Sequence, residues 1–386
     1  MITKPFPTRP RYLTERIQED LGDKMVFVGG PRQVGKTTLA RTLTRKTASD
    51  ETYGYLNWDS LADREVLLEH RLPTELDLLV LDEIHKFAEW RSLVKGYYDK
   101  HGHAVSILVT GSGRLDAYRR GGDSLQGRYH YFRLHPFTLG ELADLPTGEA
   151  LDALLRFGGF PEPFLKGTER FHRRWLREYS ARVTHEDVRD LENVRDVTKL
   201  DLLLRHLPAC VGSPLSVNQL RKLLQVSHES VERWLEIFER LYVCFRIPPF
   251  GSPAIRAVKK EQKLYFRDWS RVEDPGARFE NLVACHLLKY CDMLEDSEGY
   301  RMELRYLRDT DGREVDFVVL RDGTPEFAVE CKRSNRPLDK SIPYFMERTG
   351  IPEFYQTHLG EKDTGHSASG GRILPFHTLC ALKNLP

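Results

Sequence analysis

One segment of eight residues constrains the fold of this chain more than any other feature. It spans Gly30–Thr37, reads GPRQVGKT and has the pattern G-x-x-x-x-G-K-[ST]. An apolar run, Met25–Val28, precedes the segment, and a helical pattern over Thr38–Leu43 follows it. In such a loop, glycines let the backbone wrap closely around phosphate, while amides and the helix N-terminus supply positive potential. The strand before the loop and the helix after it distinguish a phosphate-binding loop from a chance glycine turn.

A second apolar run, Leu78–Leu81, ends in two acids, Asp82 and Glu83. Downstream of a phosphate-binding loop, this pattern indicates an ATP-hydrolysing site in which Lys36 contacts the outer phosphates. Asp82 and the Thr37 hydroxyl then hold Mg²⁺, and Glu83 polarises the attacking water. A strand that merely ends in solvated acids is the alternative. The predicted cofactors are therefore ATP and Mg²⁺. The predicted ATP-binding residues are Gly30, Pro31, Arg32, Gln33, Val34, Gly35, Lys36, Thr37 and Thr38.

The next strand, predicted over Val105–Thr110, ends close to two hydroxyl groups. The hydroxyl of either Thr110 or Ser112 could sense the terminal phosphate and orient the attacking water, and the spacing does not choose between them. An ordinary turn at the end of the strand is the alternative. Ser112 is included in the predicted catalytic set.

Arg128 lies just before the predicted strand Tyr129–Leu134. In a ring of subunits this position faces a neighbour's nucleotide, so Arg128 is predicted to be an arginine finger that stabilises transition-state charge in trans. Arg119 and Arg120 compete for the role, and a surface arginine is the alternative. The sequence thus predicts a homo-oligomer, with a ring as one form. The predicted catalytic residues are Glu83, Lys36, Arg128 and Ser112.

Composition places the chain among globular proteins of several domains. Its 386 residues are 40% hydrophobic and 30% charged, which fits about two to four domains. Lys and Arg number 58 and Asp and Glu 57, so the net charge of +1 neither indicates nor excludes a nucleic-acid partner. No apolar run approaches the roughly 20 residues of a membrane span, and no signal-peptide pattern opens the chain. None of the 6 cysteines forms a Cys-x-x-Cys pair, so we expect a cytoplasmic protein with reduced thiols and no membrane partner.

The order of patterns along the chain predicts four domains. Five apolar runs alternate with helical stretches over residues 1–140, which predicts an α/β core with a parallel sheet. Strand signals fade over 141–208, where we expect a small helical lid. Over 209–262, two helical patterns flank Gln225-Val226-Ser227 and two strand patterns follow, which is typical of a winged helix. A separate α/β domain is predicted over 263–386.

The winged-helix segment could grip the DNA backbone, duplex or branched, through basic side chains. These basic residues are Arg221, Lys222, Arg233, Arg240, Arg256, Lys259 and Lys260. The second helix also carries four acids, Glu229, Glu232, Glu236 and Glu239. The acids dilute the positive charge, so packing between domains is the alternative role for this segment.

Acids near the end of the chain have the D…E-x-K pattern of metal-dependent nucleases. Asp316 lies in a predicted strand, Glu314–Leu320, and Glu330 and Lys332 lie at the end of the next. An odd-length turn centred on Gly323 would place Asp316 opposite Glu330 and the acid at 314 opposite Lys332. Glu280, on the preceding helix, would add a third carboxylate. The predicted metal site is Asp316, Glu330, Lys332 and Glu280. The alternative is a salt-bridge network in which Lys332 neutralises Glu314.

Taken together, these motifs resemble those of a known family. The segments are GPRQVGKTT, VLDEIHK, VTGS, SLQGR, GGFPEPF, ENLVA, REVDFVV and VECKRS. From about Arg11 to Ser334 the chain resembles prokaryotic AAA+ ATPases that carry a C-terminal domain of unknown function with a restriction-endonuclease-like, PD-(D/E)xK, fold. The resemblance implies an ATPase core, a winged-helix segment and a nuclease-like end. It implies little about biological role.

Three functional hypotheses follow from these patterns. The first is an ATP-driven DNA-processing enzyme, with nuclease activity left open. The second is a nucleotide-controlled switch whose C-terminal modules bind protein partners. The third is a helicase or branch-migration motor that does not cut. DNA-stimulated hydrolysis separates the first and third from the second, and metal-dependent cutting separates the first from the third.

Overall fold

The computed structural model describes residues 9–47, 53–74, 76–112, 115, 125–188, 196–251, 261–368 and 370–386. The chain divides into two compact units. One unit comprises Met1–His135 and Arg240–Tyr242, and the other comprises Pro136–Glu239 and Val243–Pro386. The four domains expected from the sequence subdivide these units and stay a prediction.

A five-stranded sheet forms the centre of the first unit. Its strands are β1 (Met25–Gly29), β2 (Tyr53–Asn57), β3 (Leu78–Asp82), β4 (Ser106–Thr110) and β5 (Tyr129–Arg133). The order is β2-β3-β4-β1-β5, and every neighbouring pair is parallel. The helices are α1 (Thr14–Asp20), α2 (Lys36–Thr47), α3 (Leu61–Leu68) and α4 (Trp90–His101). The predicted α/β core with a parallel sheet is confirmed.

Both faces of this sheet are covered, which explains why its central strands read as unbroken apolar runs. Successive side chains of a strand point to opposite faces. On β1, Phe27 joins a core cluster that contains Trp90 of α4. Val26 and Val28 join the cluster on the other face, which contains Leu39 of α2. The strands are thereby fixed in register, and the carboxyl ends of β1, β3 and β4 meet at one edge.

Helices dominate the first part of the second unit. They are α5 (Thr147–Phe157), α6 (Pro161–Lys166), α7 (Glu169–Arg182), α8 (Val197–His206), α9 (Val217–Leu224) and α10 (His228–Arg240). The turn Gln225-Val226-Ser227 separates α9 from α10, as predicted. Two antiparallel strands follow, β6 (Cys244–Ile247) and β7 (Lys263–Phe266). The loop that would form a wing lies largely outside the described residues, with Arg256, Lys259 and Lys260, so the winged helix stays a prediction.

A six-stranded sheet forms the rest of the second unit. Its strands are β8 (Met302–Arg308), β9 (Glu314–Arg321), β10 (Thr324–Lys332), β11 (Phe354–His358), β12 (Gly365–His366) and β13 (Arg372–Pro375). The order is β12-β13-β11-β10-β9-β8. β8, β9 and β10 pair antiparallel, whereas β11 pairs parallel with both β10 and β13. The helices are α11 (Pro275–Glu298), α12 (Ser341–Met346) and α13 (Phe376–Leu382).

The turn between β9 and β10 differs from the expected one. Arg321 pairs with Thr324, so the turn has two residues rather than an odd number. Asp322 and Gly323 have φ values of 50° and 80°, which suits a tight hairpin turn. A register shift between Pro325 and Phe327 then adds one residue to β10. This bulge brings Asp316 opposite Glu330, the predicted pairing, by a route that the sequence did not indicate.

Two further expectations concern helices and thiols. Within the described ranges, no helix is both long and apolar enough to cross a membrane. All six cysteines lie in described segments and are free thiols.

Candidate active site

The loop after β1 contains two glycines, Gly30 and Gly35, whose positive φ values favour glycine at these positions. Gly30 has a φ of 137°, and a Cβ on it would lie 2.4 Å from the carbonyl oxygen of Leu134. Gly35 also has a positive φ, 100°. Helix α2 begins at Lys36, so its first amides face the loop. The predicted strand–loop–helix arrangement therefore forms a cradle at the carboxyl edge of the sheet.

Lys36 lies across this loop and is 6% exposed. Its ammonium donates to the carbonyl oxygens of Gly30 at 3.0 Å and Pro31 at 2.8 Å. The two carbonyl groups hold the charge above the cradle, where phosphate oxygens can compete for it.

Asp82, at the end of β3, is 2% exposed. Its Oδ2 accepts hydrogen bonds from the Thr37 hydroxyl at 2.8 Å and the Tyr55 hydroxyl at 2.5 Å. Its Oδ1 accepts one from the Thr110 hydroxyl. The Thr37 hydroxyl and the Asp82 carboxylate, predicted to share Mg²⁺, are thus in direct contact. Hard oxygen donors of this kind suit Mg²⁺, so these residues fit the ion.

Tyr55 was not predicted as a site residue. It lies on β2, next to β3, and burial together with the Asp82 carboxylate raises its pKa. Its ring also stacks beneath the Arg41 guanidinium, 5.1 Å from the ring centroid. The contact between Tyr55 and Asp82 depends on which strand neighbours β3, and no local motif carries that information.

Glu83 follows β3 in a left-handed backbone conformation, with a φ of 55°. Its amide donates to the Thr110 carbonyl oxygen at 2.9 Å. Its Oε2 lies 3.6 Å from the Lys86 ammonium and 3.7 Å from His85 Nε2. Burial raises the pKa of Glu83, and Lys36 and Lys86 oppose this rise. A raised pKa is what a carboxylate needs to accept a proton from water at neutral pH.

The two hydroxyl candidates after β4 differ in environment. Thr110 is 1% exposed and donates to Asp82. Ser112 lies two residues further, is partly exposed, and its carbonyl accepts from the Leu115 amide at 2.9 Å. Thr110 therefore helps to hold Asp82, the predicted Mg²⁺ ligand, and the sensing role of either hydroxyl stays a prediction.

Arg128 lies before β5, at the amino edge of the parallel sheet. The ATP loop lies at the carboxyl edge, roughly 16 Å away for a strand of about five residues. Arg128 Nε contacts Asp99 Oδ1 of α4 at 2.8 Å; the Arg128 side chain is partly exposed and that of Asp99 is exposed. This position is remote from the chain's own loop, and the arginine-finger role stays a prediction. Arg119 and Arg120 lie outside the described residues.

Arg11 is a buried residue that supports the loop and was not predicted as a site residue. Its Nη1 donates to the Val34 carbonyl oxygen at 2.8 Å, and its Nη2 donates to the carbonyl oxygen of His135. The neighbouring Tyr12 hydroxyl donates to the Arg133 carbonyl oxygen at 2.6 Å. Arg11 therefore ties the ATP loop to the segment that follows β5.

The predicted C-terminal acids converge, but around a lysine that the sequence did not single out. Lys263, on β7, is 0% exposed. Its ammonium lies 3.2 Å from Glu280 Oε1 and 3.4 Å from Asp316 Oδ1, and it also contacts Glu314. The Tyr265 hydroxyl donates to Glu280 Oε1 at 2.7 Å.

Lys332 pairs differently from the salt-bridge alternative. Its ammonium lies 2.6 Å from Glu330 Oε1 and 2.9 Å from Asp339 Oδ2. Glu314 instead pairs with Lys263 and with Arg308, the latter at 2.6 Å. The expectation that Lys332 neutralises Glu314 is therefore wrong, because Lys263, on a separate strand, forms the ion pair with Glu314.

Burial dominates the electrostatics of these acids. It raises the pKa of Glu280 to about 7, with Asp316 adding to the rise. Burial also raises the pKa of Asp316 and, more strongly, that of Glu330. In the described part of the chain, no group of three or more His, Cys, Asp or Glu side chains is arranged to hold a metal ion. At Asp316 and Glu280, an ammonium lies where the sequence predicted a metal.

The parallel sheet, the loop after β1 and the Thr37–Asp82 contact are the features of a P-loop core. Family comparisons agree: residues 22–143 match the AAA domain model AAA_14. Residues 148–272 match the domain of unknown function DUF8612, and residues 275–378 match the domain of unknown function DUF4143.

Two relatives align with most of the chain. An uncharacterized protein of Methanocaldococcus jannaschii is 24% identical over 331 residues, which span 77% of this chain and 72% of the relative. An uncharacterized protein of Mycobacterium tuberculosis is also 24% identical over 331 residues, spanning 81% and 71%.

Two solved structures are distantly similar. The RuvB Holliday junction branch migration motor of Thermotoga maritima is 17% identical, with 62% of this chain and 93% of that chain covered at a TM-score of 0.32. A STAND ATPase with a tetratricopeptide repeat sensor, from Pyrococcus horikoshii, is 13% identical, with 75% and 47% covered at a TM-score of 0.29. At these TM-scores the likeness carries no inference about function.

Proposed function

We propose that this protein is a Mg²⁺-dependent AAA+ ATPase that couples ATP binding and hydrolysis to DNA binding or remodelling. The observation that carries the ATPase proposal is the 2.8 Å contact between the Thr37 hydroxyl and Asp82, beside the Lys36 loop. Two segments distant in the sequence, one carrying Lys36 and Thr37 and the other Asp82, thereby supply an ammonium, a hydroxyl and a carboxylate to one edge of the sheet. This is the combination that phosphoryl transfer requires.

Each residue has a distinct role in this proposal. Bound ATP supplies the anhydride bond to be cleaved, and Mg²⁺ neutralises charge on its phosphates. Lys36 leaves the carbonyl oxygens of the loop for the outer phosphates. Thr37 and Asp82 hold the ion, while Thr110 and Tyr55 keep the Asp82 carboxylate in place. Glu83 takes a proton from water as the water attacks.

Hydrolysis in this proposal also requires a second subunit. Arg128 lies at the sheet edge away from its own ATP loop and is partly exposed beside Asp99. An arginine placed there can stabilise transition-state charge only in an adjacent copy of the chain. A homo-oligomer, with a ring as one form, is therefore part of the proposal.

The DNA part of the proposal is supported by the helical hairpin α9–α10 followed by β6 and β7. This element order is that of a winged helix, whose second helix and wing contact DNA. Lys222 and Arg233 are exposed on the two helices. Basic side chains on such a face neutralise phosphates and make binding sensitive to salt.

Charges on α10 favour a second candidate function, a nucleotide-controlled assembly switch. Arg246 of β6 contacts Glu232 at 2.7 Å and Glu239 at 2.9 Å, and these two carboxylates offset its positive charge. Glu229 and Glu236 are exposed on the same helix. A surface that carries charges of both signs is better suited to binding a protein than to binding a polyanion such as DNA.

The ATPase rate of the full chain with and without DNA tests these proposals together. Single-stranded, duplex and branched DNA are compared at fixed salt, with Lys36→Ala as the inactive control. Hydrolysis stimulated by DNA is expected. Hydrolysis that no DNA alters would favour the assembly switch, and no hydrolysis above that of Lys36→Ala in any assembly state would overturn the ATPase proposal.

A further inference from the structure

Lys263 has an unusual environment for a lysine. Its side chain is 0% exposed, and it lies among three carboxylates from two other elements, Glu280 of α11 and Glu314 and Asp316 of β9. The Tyr306 ring lies 5.6 Å from the ammonium and adds a further favourable contact. A buried ammonium is retained only where paired charges and hydrogen bonds replace its lost hydration.

The oxygen atoms of the central acids are already engaged by this chain's own donors. Asp316 Oδ1 accepts from Lys263 at 3.4 Å, and its Oδ2 accepts from the Cys331 amide at 2.9 Å. Glu330 Oε1 accepts from Lys332 at 2.6 Å, and its Oε2 accepts from the Asp316 amide at 3.3 Å.

Glu280 is similarly engaged. Its Oε1 accepts from both Lys263 and the Tyr265 hydroxyl. A Cβ on Gly212 would lie 2.9 Å from its Oε2, so the backbone approaches that oxygen closely. Of the six oxygens of the three predicted metal-binding carboxylates, five therefore accept a hydrogen bond from the protein.

Mg²⁺ and an ammonium make incompatible demands on these oxygens. Mg²⁺ requires ligand oxygens at about 2.0–2.1 Å in near-octahedral geometry. A divalent cation at Asp316 and Glu280 would also lie within a few ångströms of the Lys263 ammonium and be repelled by it. The residues present therefore do not fit the metal that the D…E-x-K pattern implies.

We propose that Lys263 is the resident cation of this carboxylate cluster, which binds no divalent metal and joins β7, α11 and β9 instead of cutting DNA. The ammonium supplies the positive charge that a metal would supply in a nuclease. It also links the β6–β7 pair to the six-stranded sheet within the second unit. The inference is independent of ATP hydrolysis by the first unit, so failure of one proposal leaves the other intact.

Manganese binding to the full chain, without nucleotide, tests the proposal. Free Mn²⁺ is followed by electron paramagnetic resonance in wild type, Asp316→Asn, Lys263→Met and the double variant Lys263→Met/Asp316→Asn. Methionine keeps most of the length of the side chain and removes the charge. Wild type and Asp316→Asn are expected to bind the same amount of Mn²⁺, because Asp316 holds no Mn²⁺ in wild type. Lys263→Met is expected to gain one Mn²⁺ site, which the double variant loses.

Lys289→Met is the matched control, because Lys289 is a second buried lysine of the same unit. Its ammonium contacts the Glu141 carboxylate and the Thr138 hydroxyl rather than several acids. Removing it is expected to create no Mn²⁺ site. A gain in this variant would show that Mn²⁺ reports any unpaired buried acid, and the proposal would lose its support.

Two results would overturn the proposal outright. One is Mn²⁺ binding to wild type that Asp316→Asn abolishes, and the other is a folded Lys263→Met variant that gains no site. Should Lys263→Met fail to fold, the wild-type and Asp316→Asn titrations still decide, because Asp316-dependent binding is expected to be absent. Mn²⁺-dependent nicking of plasmid DNA by wild type, lost in Asp316→Asn, would count equally against it.

Discussion

Two buried aspartates, Asp82 in the first unit and Asp316 in the second, have opposite kinds of partner. Asp82 is 2% exposed, and among the described residues its carboxylate accepts hydrogen bonds from neutral hydroxyls, those of Thr37, Tyr55 and Thr110. Asp316 is 8% exposed and contacts an ammonium, Lys263, and a backbone amide. Both sites look like metal centres in the sequence, but their charge balance differs.

The difference shows what separates a cation-binding carboxylate from a structural one. Neutral hydroxyls fix the geometry of a buried carboxylate without cancelling its charge, so a cation still gains strongly by binding there. A nearby ammonium offsets charge on the carboxylate and repels an incoming metal ion. The donors around an acid therefore indicate its role better than the acid itself does.

Loss of the Lys36 ammonium should have the largest effect on the ATP site, because both ATP binding and hydrolysis depend on it. Lys36→Ala removes charge-assisted hydrogen bonds worth about 1.5–3 kcal/mol each, so ATP affinity should fall about 100-fold or more and hydrolysis should reach background. Titration with labelled nucleotide measures the affinity. The control is Lys24→Ala, one residue before β1 at the opposite edge of the sheet, and it should bind ATP normally. Normal binding by Lys36→Ala would refute the assignment of this loop.

Glu83→Gln should separate binding from chemistry at the same site. The carboxamide keeps the shape of the side chain but cannot accept the proton, so turnover should fall about 10²- to 10⁴-fold with ATP affinity retained. Single-turnover hydrolysis and nucleotide titration measure the two quantities. Glu89→Gln, an exposed acid nearby, should leave both unchanged. Wild-type turnover in Glu83→Gln would mean that another residue activates the water.

Arg128→Ala should lower hydrolysis only in the assembled state, by up to about 10³-fold. Asp99→Ala is the control, because it removes the ion pair of Arg128 but leaves the guanidinium. If the two variants lose activity equally, the ion pair rather than the finger matters. Mixing Arg128→Ala with Lys36→Ala protein should restore part of the activity, since Arg128 of one chain can serve the intact loop of the other. Concentration-dependent ATPase assays measure both effects.

The sequence predicted the elements of the ATP site that lie close together along the chain. Gly30–Thr37 is contiguous, and Asp82 and Glu83 end an apolar run that can be identified alone. Arg11 and Tyr55 were missed because their contacts depend on the order of strands and on loops far apart in the sequence. No spacing rule encodes either one.

The second unit was less predictable for related reasons. Lys263 lies on a different strand from every acid it contacts, so the D…E-x-K pattern gave no sign of it. Strand β11 was missed because its side chains Gln356, Thr357 and His358 are polar yet fully buried, which conceals an interior strand. The bulge between Pro325 and Phe327 altered the register without altering the apolar pattern around it.

The smallest expected effect tests the contrast between the two aspartates directly, through local stability. Asp316→Asn takes one of three carboxylates from a fully buried ammonium, so the β9–β10 region should lose about 1–3 kcal/mol. Asp82→Asn removes a charge whose hydrogen-bond donors, in the described part of the chain, are neutral hydroxyls, and its amide oxygen can still accept from them. Stability around β3 should therefore change by less than about 0.5 kcal/mol or rise. Because the two units need not unfold together, one global unfolding midpoint would mix them, so hydrogen exchange of peptides from β3 and β9 is the appropriate measurement.

Adding Mg²⁺ and ATP extends the same test, because only the Asp82 site is expected to respond to them. Ligand that binds only the folded state slows exchange near its site. In wild type, protection should therefore increase around β3 and α2, and this increase should vanish in Asp82→Asn, which loses an anionic ligand for the ion. Protection around β9 should not respond to Mg²⁺ in any of these proteins, because Lys263 already balances Asp316. A Mg²⁺-dependent increase at β9, or a strong loss of stability in Asp82→Asn, would erase the distinction between the two aspartates.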